Sequence, residues 1–172
     1  MYRGVIPLIK EAKNSIDISI FFLTHKNISK ELVKASKRGV SIRVILDATA
    51  ASNGYSKHNY LRDNGMPVKV ENWGGKMHMK SAIIDKKHLI VGSMNWTSAG
   101  ESKNDENTLI IKNFKDAPKY QRFYNLMWNS IPDKWLREDP MPESKDSGTS
   151  CYDDVDNDFD GKIDAKDPNC IN

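Results

Sequence analysis

Apolar side chains at Val5, Ile6, Ile9 and Ala12 recur with helical spacing, and Ile16-Asp17-Ile18-Ser19-Ile20-Phe21-Phe22 then alternates with the period of a strand. Residues 29–37 predict a second helix closed by Gly39, and residues 41–46 a second strand rich in β-branched side chains. A short helix over 58–62 that stops near Gly65 is followed by strands over 68–70, 81–84, 89–91 and 108–111. An amphipathic helix over 117–131, carrying Phe123, Leu126, Met127 and Ile131, closes the pattern. This rhythm predicts an α/β fold, a three-layer sandwich with a mixed central β-sheet flanked by helices. From Pro132 the periodicity dissolves into Pro140, Pro142, Ser144, Ser147, Gly148 and Ser150, the composition of a linker that should pack against nothing. The expected organisation is a folded body over 1–137, a linker over 138–150 and a small tail over 151–172.

Charge sharpens that division. Of 172 residues, 38% are hydrophobic, enough for a core, and the formal net charge is only +3. Residues 141–172 hold nine Asp or Glu and three Lys, so the rest keeps 23 basic and 14 acidic residues, an excess of about nine positive charges. Such a body suits a polyanion, although a solvated lysine-rich face is equally common. No run of about 18 apolar residues is present to span a membrane. Met1-Tyr2-Arg3 leads straight into the first amphipathic stretch, so no export signal is visible. Both cysteines, Cys151 and Cys170, lie in the tail; a cysteine-free body with a bridgeable tail points to an oxidising compartment and a secreted, cell-surface or periplasmic protein.

The chemistry concentrates in His78-Met79-Lys80-Ser81-Ala82-Ile83-Ile84-Asp85, then Gly92-Ser93-Met94-Asn95, then Glu106-Asn107. In an extended chain, residues two apart face the same way, so His78 and Lys80 can grip one small anion together, and Ser93 and Asn95 share a parity. Gly92 permits close backbone approach; the Ser93 hydroxyl and Asn95 amide donate to phosphate oxygens, and Lys80 supplies the cation. Together these stabilise the negative charge that develops on five-coordinate phosphorus. An uncharged imidazole at neutral pH makes His78 the nucleophile, with Glu106 as the carboxylate expected to orient its second nitrogen. Asp85 has the opposite parity and is expected to brace the local structure. Taken singly, each has a plainer reading: His78 a surface residue, Ser93 or Asn95 a cap before Trp96, Asp85 a hairpin residue. Six suitable residues in this order favour a site. His88 is expected to be solvated and His58 to have no chemistry, while His25, at a strand end, can line the pocket.

His78, Lys80 and Asp85 with Gly92-Ser93-Met94-Asn95 match the HKD signature, and the chain over about residues 3–130 resembles the small single-motif bacterial endonucleases of the phospholipase D superfamily. Ala35-Ser36-Lys37-Arg38-Gly39-Val40 and Glu101-Ser102-Lys103-Asn104-Asp105-Glu106-Asn107 add to the likeness. The resemblance implies a double displacement: one histidine forms a phosphohistidine, and a second histidine protonates the leaving oxygen and later activates water. A single motif implies a homodimer in which two copies of His78 share one active site, with no metal needed for the chemistry. Members usually begin with a strand before the helix that starts here near Arg3. The implied function is non-specific endonucleolytic cleavage of DNA or RNA; the alternatives are phospholipase D action on lipid headgroups and a non-catalytic surface protein that binds polyanions.

In the tail, residues 156–167 follow the twelve-residue calcium-loop pattern, with Asp156, Asp158 and Asp160 as ligands, Gly161 at the turn, the Lys162 carbonyl, Asp164 and a closing Asp167. Asp153 is a further candidate ligand. The loop resembles the Cys-flanked, aspartate-rich loops of thrombospondin type 3 and dockerin-like repeats. A Cys151–Cys170 bridge would stabilise so small a module by about 3 kcal/mol. A structural or adhesive role is expected, separated from His78 by the linker.

Overall fold

The computed structural model describes residues 2–147 and 149–171, with side chains from Gly4 onward; Gly148, one of the residues that mark the linker, lies outside the described residues. Helix α1 (Tyr2–Glu11) buries Val5, Ile6, Leu8 and Ile9. It leads into β1 (Ser15–Ile20), followed by α2 (Lys26–Lys37) and β2 (Ser41–Leu46). α2 begins three residues before the predicted start because the His25 ring accepts from Asn27 N and Ile28 N, an N-cap the apolar pattern does not reveal. It closes at Gly39, whose φ of +91° gives the left-handed turn expected there. Arg38 then donates to the carbonyls of Ile9 and Lys10, satisfying the C-terminal end of α1.

Next come α3 (Ala48–Ser52), α4 (His58–Asp63), β3 (Val68–Val70), β4 (Lys80–Ile84), β5 (His88–Gly92), α5 (Ser98–Ser102), β6 (Thr108–Ile111), α6 (Ala117–Ser130) and α7 (Pro168–Ile171). α3 and α5 are five-residue helices too short to show periodicity; each is started by a side chain at its N-cap, Asp47 and Thr97 respectively. The strands form one six-stranded sheet in the order β3-β2-β1-β4-β5-β6. β1, β2 and β3 run parallel, whereas β4, β5 and β6 pair antiparallel. The predicted mixed sheet is therefore present.

Strand parity creates the three layers. Ile16, Ile18 and Ile20 face one side with Val44, Leu46, Val68, Ala82 and Ile84, covered by α1 and α2. Ile45, Ile83 and Leu89 face the other, under Tyr124 of α6 and Trp135. That second face also holds Asp17, 3% exposed, which accepts from both Arg43 Nε and Nη2 and from Gln121 of α6. Lys69 donates to the carbonyls of Trp128 and Ile131, fixing the C-terminal end of α6.

The expectation that residues 138–150 pack against nothing is corrected. Glu143, Ser144, Ser147 and Ser150 are buried, and Asp139 bonds His58 at 2.9 Å and Arg62 at 2.8 Å on α4. Glu143 accepts from Asn157 N and Asp164 N, both at 2.6 Å, so it organises the tail. Small serines and a carboxylate that takes up backbone N–H groups let a chain without apolar periodicity pack closely. Among the described residues, no helix is long and apolar enough to cross a membrane.

Candidate functional site

The site forms where β1 and β4 end side by side. Lys80 is the first residue of β4, in register with Ile20, and Phe21 N donates to Met79 O at 2.9 Å. Beyond Ile20 the chain leaves the sheet. The strand predicted to run through Phe22 stops there because Phe22 N donates instead to Asn95 Oδ1 at 3.1 Å, and Phe22 O accepts from Trp96 N. With its carbonyl oxygen so engaged, the Asn95 amide has its Nδ2 as the group to offer a substrate.

The His78 ring is exposed and lies against the Phe21 ring, centroids 4.7 Å apart. Lys80 is 6% exposed; its ammonium donates to the His78 carbonyl at 2.7 Å and sits 5.0 Å from the Phe21 ring centre. Among the described residues no carboxylate lies within ion-pair distance of it. A buried cation with no carboxylate in direct contact, next to an exposed imidazole, is a place for an anion. Burial and then the Lys80 charge push the His78 pKa below its ordinary 6.5, against the pull of Asp47, so the ring is uncharged at neutral pH. Burial also lowers Lys80, while Glu106 and Asp47 oppose this.

Ser93 follows Gly92, the last residue of β5. Its hydroxyl donates to Glu106 Oε2 and accepts from Asn107 N at 3.1 Å. Asn104 donates to Glu106 Oε1 at 3.2 Å; the Ser93 and Asn104 bonds, aided by Lys80, hold the Glu106 pKa below the usual carboxylate range despite some burial. Among the described residues of this one chain Glu106 makes no hydrogen bond to His78, and it holds the Ser93 hydroxyl. Gly92 is required for space, since a Cβ there would meet Asn107 O at 2.2 Å.

Asp85 points away from the site. Its carboxylate takes the N–H groups of Lys13, Asn14 and Ser15 at 2.7 to 3.2 Å. Burial works to raise its pKa, but those three bonds outweigh it and hold the group ionised. Asp85 and Lys86 both adopt positive φ, as a tight hairpin between β4 and β5 demands.

Several residues near the site carry no motif. Phe21 supplies the ring under both His78 and Lys80. Asp47, 1% exposed at the end of β2, caps α3 through Ala50 N and accepts from Met77 N at 2.9 Å, fixing the residue before His78. Glu71, also 1% exposed, accepts from Ala48 N and Trp73 N; burial and the charge of Asp47 push its pKa up to about 8. A carboxylate at the end of an apolar strand was the one available signal for Asp47. His25 pairs with Glu101 at 2.8 Å and lines a cleft of about 550 Å³ with Thr24, Lys26, Tyr55 and Lys57. His88 accepts from Asn113 N, and His58 is held by Ser56 and Asp139.

In the tail, the Cys151–Cys170 disulfide is formed, closing the loop. Two acidic groups have ligand oxygens within 4.8 Å of one another: Glu143 with Asp156 and Asp158, and Asp158 with Asp160 and Asp167. Glu143, in the supposed linker, was not foreseen. Asp153 and Asp164 stand outside both groups. Asp164 accepts from Asp153 N and Asp154 N, and Asp153 from Gly75 N, Val155 N and the Asn157 amide. Lys162 places its ammonium 3.3 Å from Asp160.

Residues 5–128 match the family model described as cardiolipin synthase, PLD-like domain. Among solved structures, a phospholipase D family member, Nuc from Salmonella typhimurium, superposes with a TM-score of 0.73 at 31% identity, over 76% of this chain and 88% of that one. A mitochondrial cardiolipin hydrolase of Chlamydomonas reinhardtii is 30% identical over 124 residues, 72% of this chain and 56% of its own. A phospholipase D of Rickettsia prowazekii (strain Madrid E) is 32% identical over 118 residues, 69% and 58% of the two chains. The chain thus spans little more than half the length of the curated relatives it matches. It belongs to the phospholipase D-like family of phosphodiesterases.

Proposed function

We propose that the chain hydrolyses phosphodiester bonds through a covalent phosphohistidine on His78, and that its substrate is nucleic acid, cut without sequence preference. The observation that supports this most is the pairing of an uncharged, exposed His78 with the buried Lys80, which has no carboxylate at ion-pair distance among the described residues. An imidazole nitrogen of His78 attacks phosphorus, and the P–O bond to the leaving group breaks. The departing oxygen takes a proton from His78 of a second copy in a homodimer, which enters the step as imidazolium, so that the shared site holds one neutral ring and one protonated ring. That second imidazole then removes a proton from water, whose oxygen displaces the first from phosphorus. Lys80 and the Asn95 amide hold the non-bridging oxygens as charge accumulates on them, joined by the Ser93 hydroxyl as its O–H turns from Glu106 to phosphate.

Nucleic acid is favoured by the basic body and by the groove lining. Lys26, Lys30 and Lys57 line two adjoining clefts with Tyr55, 78% exposed, and Tyr60, 38% exposed, a combination of cations and stacking surfaces suited to a polynucleotide strand. A lipid substrate is the second reading. Phe123 and Leu126 on α6 are exposed, and Phe123 shares a small cavity with Met79, the residue between His78 and Lys80. The disulfide supports an oxidising, exported location for the protein.

The test is incubation of the purified chain, in calcium-containing buffer, with plasmid and with phosphatidylcholine or cardiolipin vesicles, beside His78→Ala. Nicking that disappears in the variant is expected. Headgroup release without nicking selects the lipid reading; binding without turnover of either substrate selects a polyanion-binding protein. A monomer on gel filtration that is fully active removes the shared-site mechanism.

A further inference from the structure

The tail is docked on the loop that delivers His78. Gly75 N donates to Asp153 Oδ2 at 2.6 Å, and Asn72 Nδ2 to Asp146 O at 3.1 Å. The Asn157 carbonyl accepts from both Lys76 Nζ and Thr49 Oγ1, and Lys76 also lies 4.4 Å from the Phe159 ring centre. Gly74 is flush against the tail: a Cβ there would meet Thr149 Oγ1 at 2.3 Å and Asp153 Oδ2 at 3.1 Å. The tail therefore occupies space a side chain would need, four residues before His78.

The same tail holds clustered carboxylates that repel one another unless a cation or a proton compensates them. Asp158, Asp160 and Asp167 bring ligand oxygens within 4.8 Å of one another, as do Glu143, Asp156 and Asp158. Asp167 is fully buried, and among the described residues its Oδ2 has no hydrogen-bond partner; Asp156 Oδ1 is a second buried oxygen without one there. A fully buried, unpaired carboxylate oxygen facing two further carboxylates is costly unless a cation compensates it. All donors are carboxylate oxygens, which suits calcium, an ion that takes about six to eight oxygen ligands, better than magnesium.

We propose that calcium binds through Asp156, Asp158, Asp160 and Asp167 with Glu143, and that the loaded tail clamps residues 71–77 and so sets the position of His78. The metal would be a conformational regulator remote from the chemistry. Without it, repulsion expands the acidic loop, the Asn157 carbonyl leaves Lys76 and Thr49, and Asp153 leaves Gly75. Of the hydrogen bonds among the described residues, 74–77 would then keep those from Met77 N to Asp47 and from Lys76 Nζ to Thr49 Oγ1. The catalytic consequence rests on the phosphodiesterase reading; the clamp itself does not.

Hydrogen exchange on the full chain tests the clamp without any substrate. Calcium chloride added to EDTA-stripped protein should slow exchange in 71–77 by about tenfold or more, the signature of a suppressed local opening. Asp167→Asn should abolish both calcium binding, read by calorimetry, and that protection. Asp153→Ala should still bind calcium yet lose the protection, because its bond to Gly75 is gone. Hydrolysis of bis(p-nitrophenyl) phosphate should rise with calcium in the wild type and respond far less in Asp153→Ala. Calcium binding that leaves exchange in 71–77 unchanged would overturn the clamp, as would no binding at millimolar calcium. Calcium-dependent protection with no hydrolysis under any condition would instead overturn the phosphodiesterase reading alone.

Discussion

Adding one methyl group at Gly92 should disable the site. Gly92 ends β5 opposite Thr108 of β6, and its φ is not in the left-handed region, so the need for glycine is spatial. A Cβ would stand 2.2 Å from Asn107 O, 2.9 Å from Thr108 Cα and 3.0 Å from Asn107 C. All three are backbone atoms, so no rotamer change relieves the clash. Even a close carbon–oxygen contact is about 3.3 Å, so the strands must part by about 1 Å. The Ser93 N to Asn107 O bond lies at that point, and Glu106, which holds the Ser93 hydroxyl, is attached to the strand that moves. Overpacking of this kind costs about 1–3 kcal/mol, equivalent to about 2–12 °C in Tm for a chain of this size. A 1 Å error in a phosphate-holding group should lower kcat/KM by about 100-fold. Thermal unfolding and diester hydrolysis of Gly92→Ala measure both, with Gly54→Ala as control because nothing lies within 4 Å of a Cβ there. A Gly92→Ala protein with unchanged Tm and activity would show that the two strands are not held this closely.

The acidic limb of kcat/KM should inflect below pH 6.5, because burial and Lys80 depress His78 and activity appears as that ring loses its proton; a limb centred above 7 would contradict the depressed value. Glu71, raised to about 8 by burial and Asp47, contributes stability that is complete below its ordinary value of 4.5 and disappears as pH rises through 8. Glu71→Gln should therefore flatten the fall of Tm from about pH 5 to pH 9, as urea or thermal unfolding across that range would reveal. Reducing the Cys151–Cys170 bridge, which closes a loop of sequence separation 19, should cost the tail about 3 kcal/mol and weaken calcium binding, measurable by calorimetry with and without reductant.

Local patterns were legible because they are local. The alternation of residues 16–20 and 41–46, the Gly39 helix stop, the two-residue spacing of His78 and Lys80, and the pairing of the only two cysteines all depend on neighbours along the chain. The sequence by itself determined the alternation of elements, the HKD residues and the acidic loop.

Tertiary structure alone decided which strands lie side by side, and with that the parallel and antiparallel halves of the sheet. It turned Glu106 toward Ser93, placed Asp47 on the backbone of Met77, and recruited Glu143 from a segment without periodicity into the acidic cluster. A carboxylate takes whichever N–H or hydroxyl packing brings within about 3 Å, and that neighbour is often remote in the chain, as Glu71 is from Ala48 and Asp153 from Gly75. Spacing can say that an acid is present; only the folded arrangement of distant segments says what it holds.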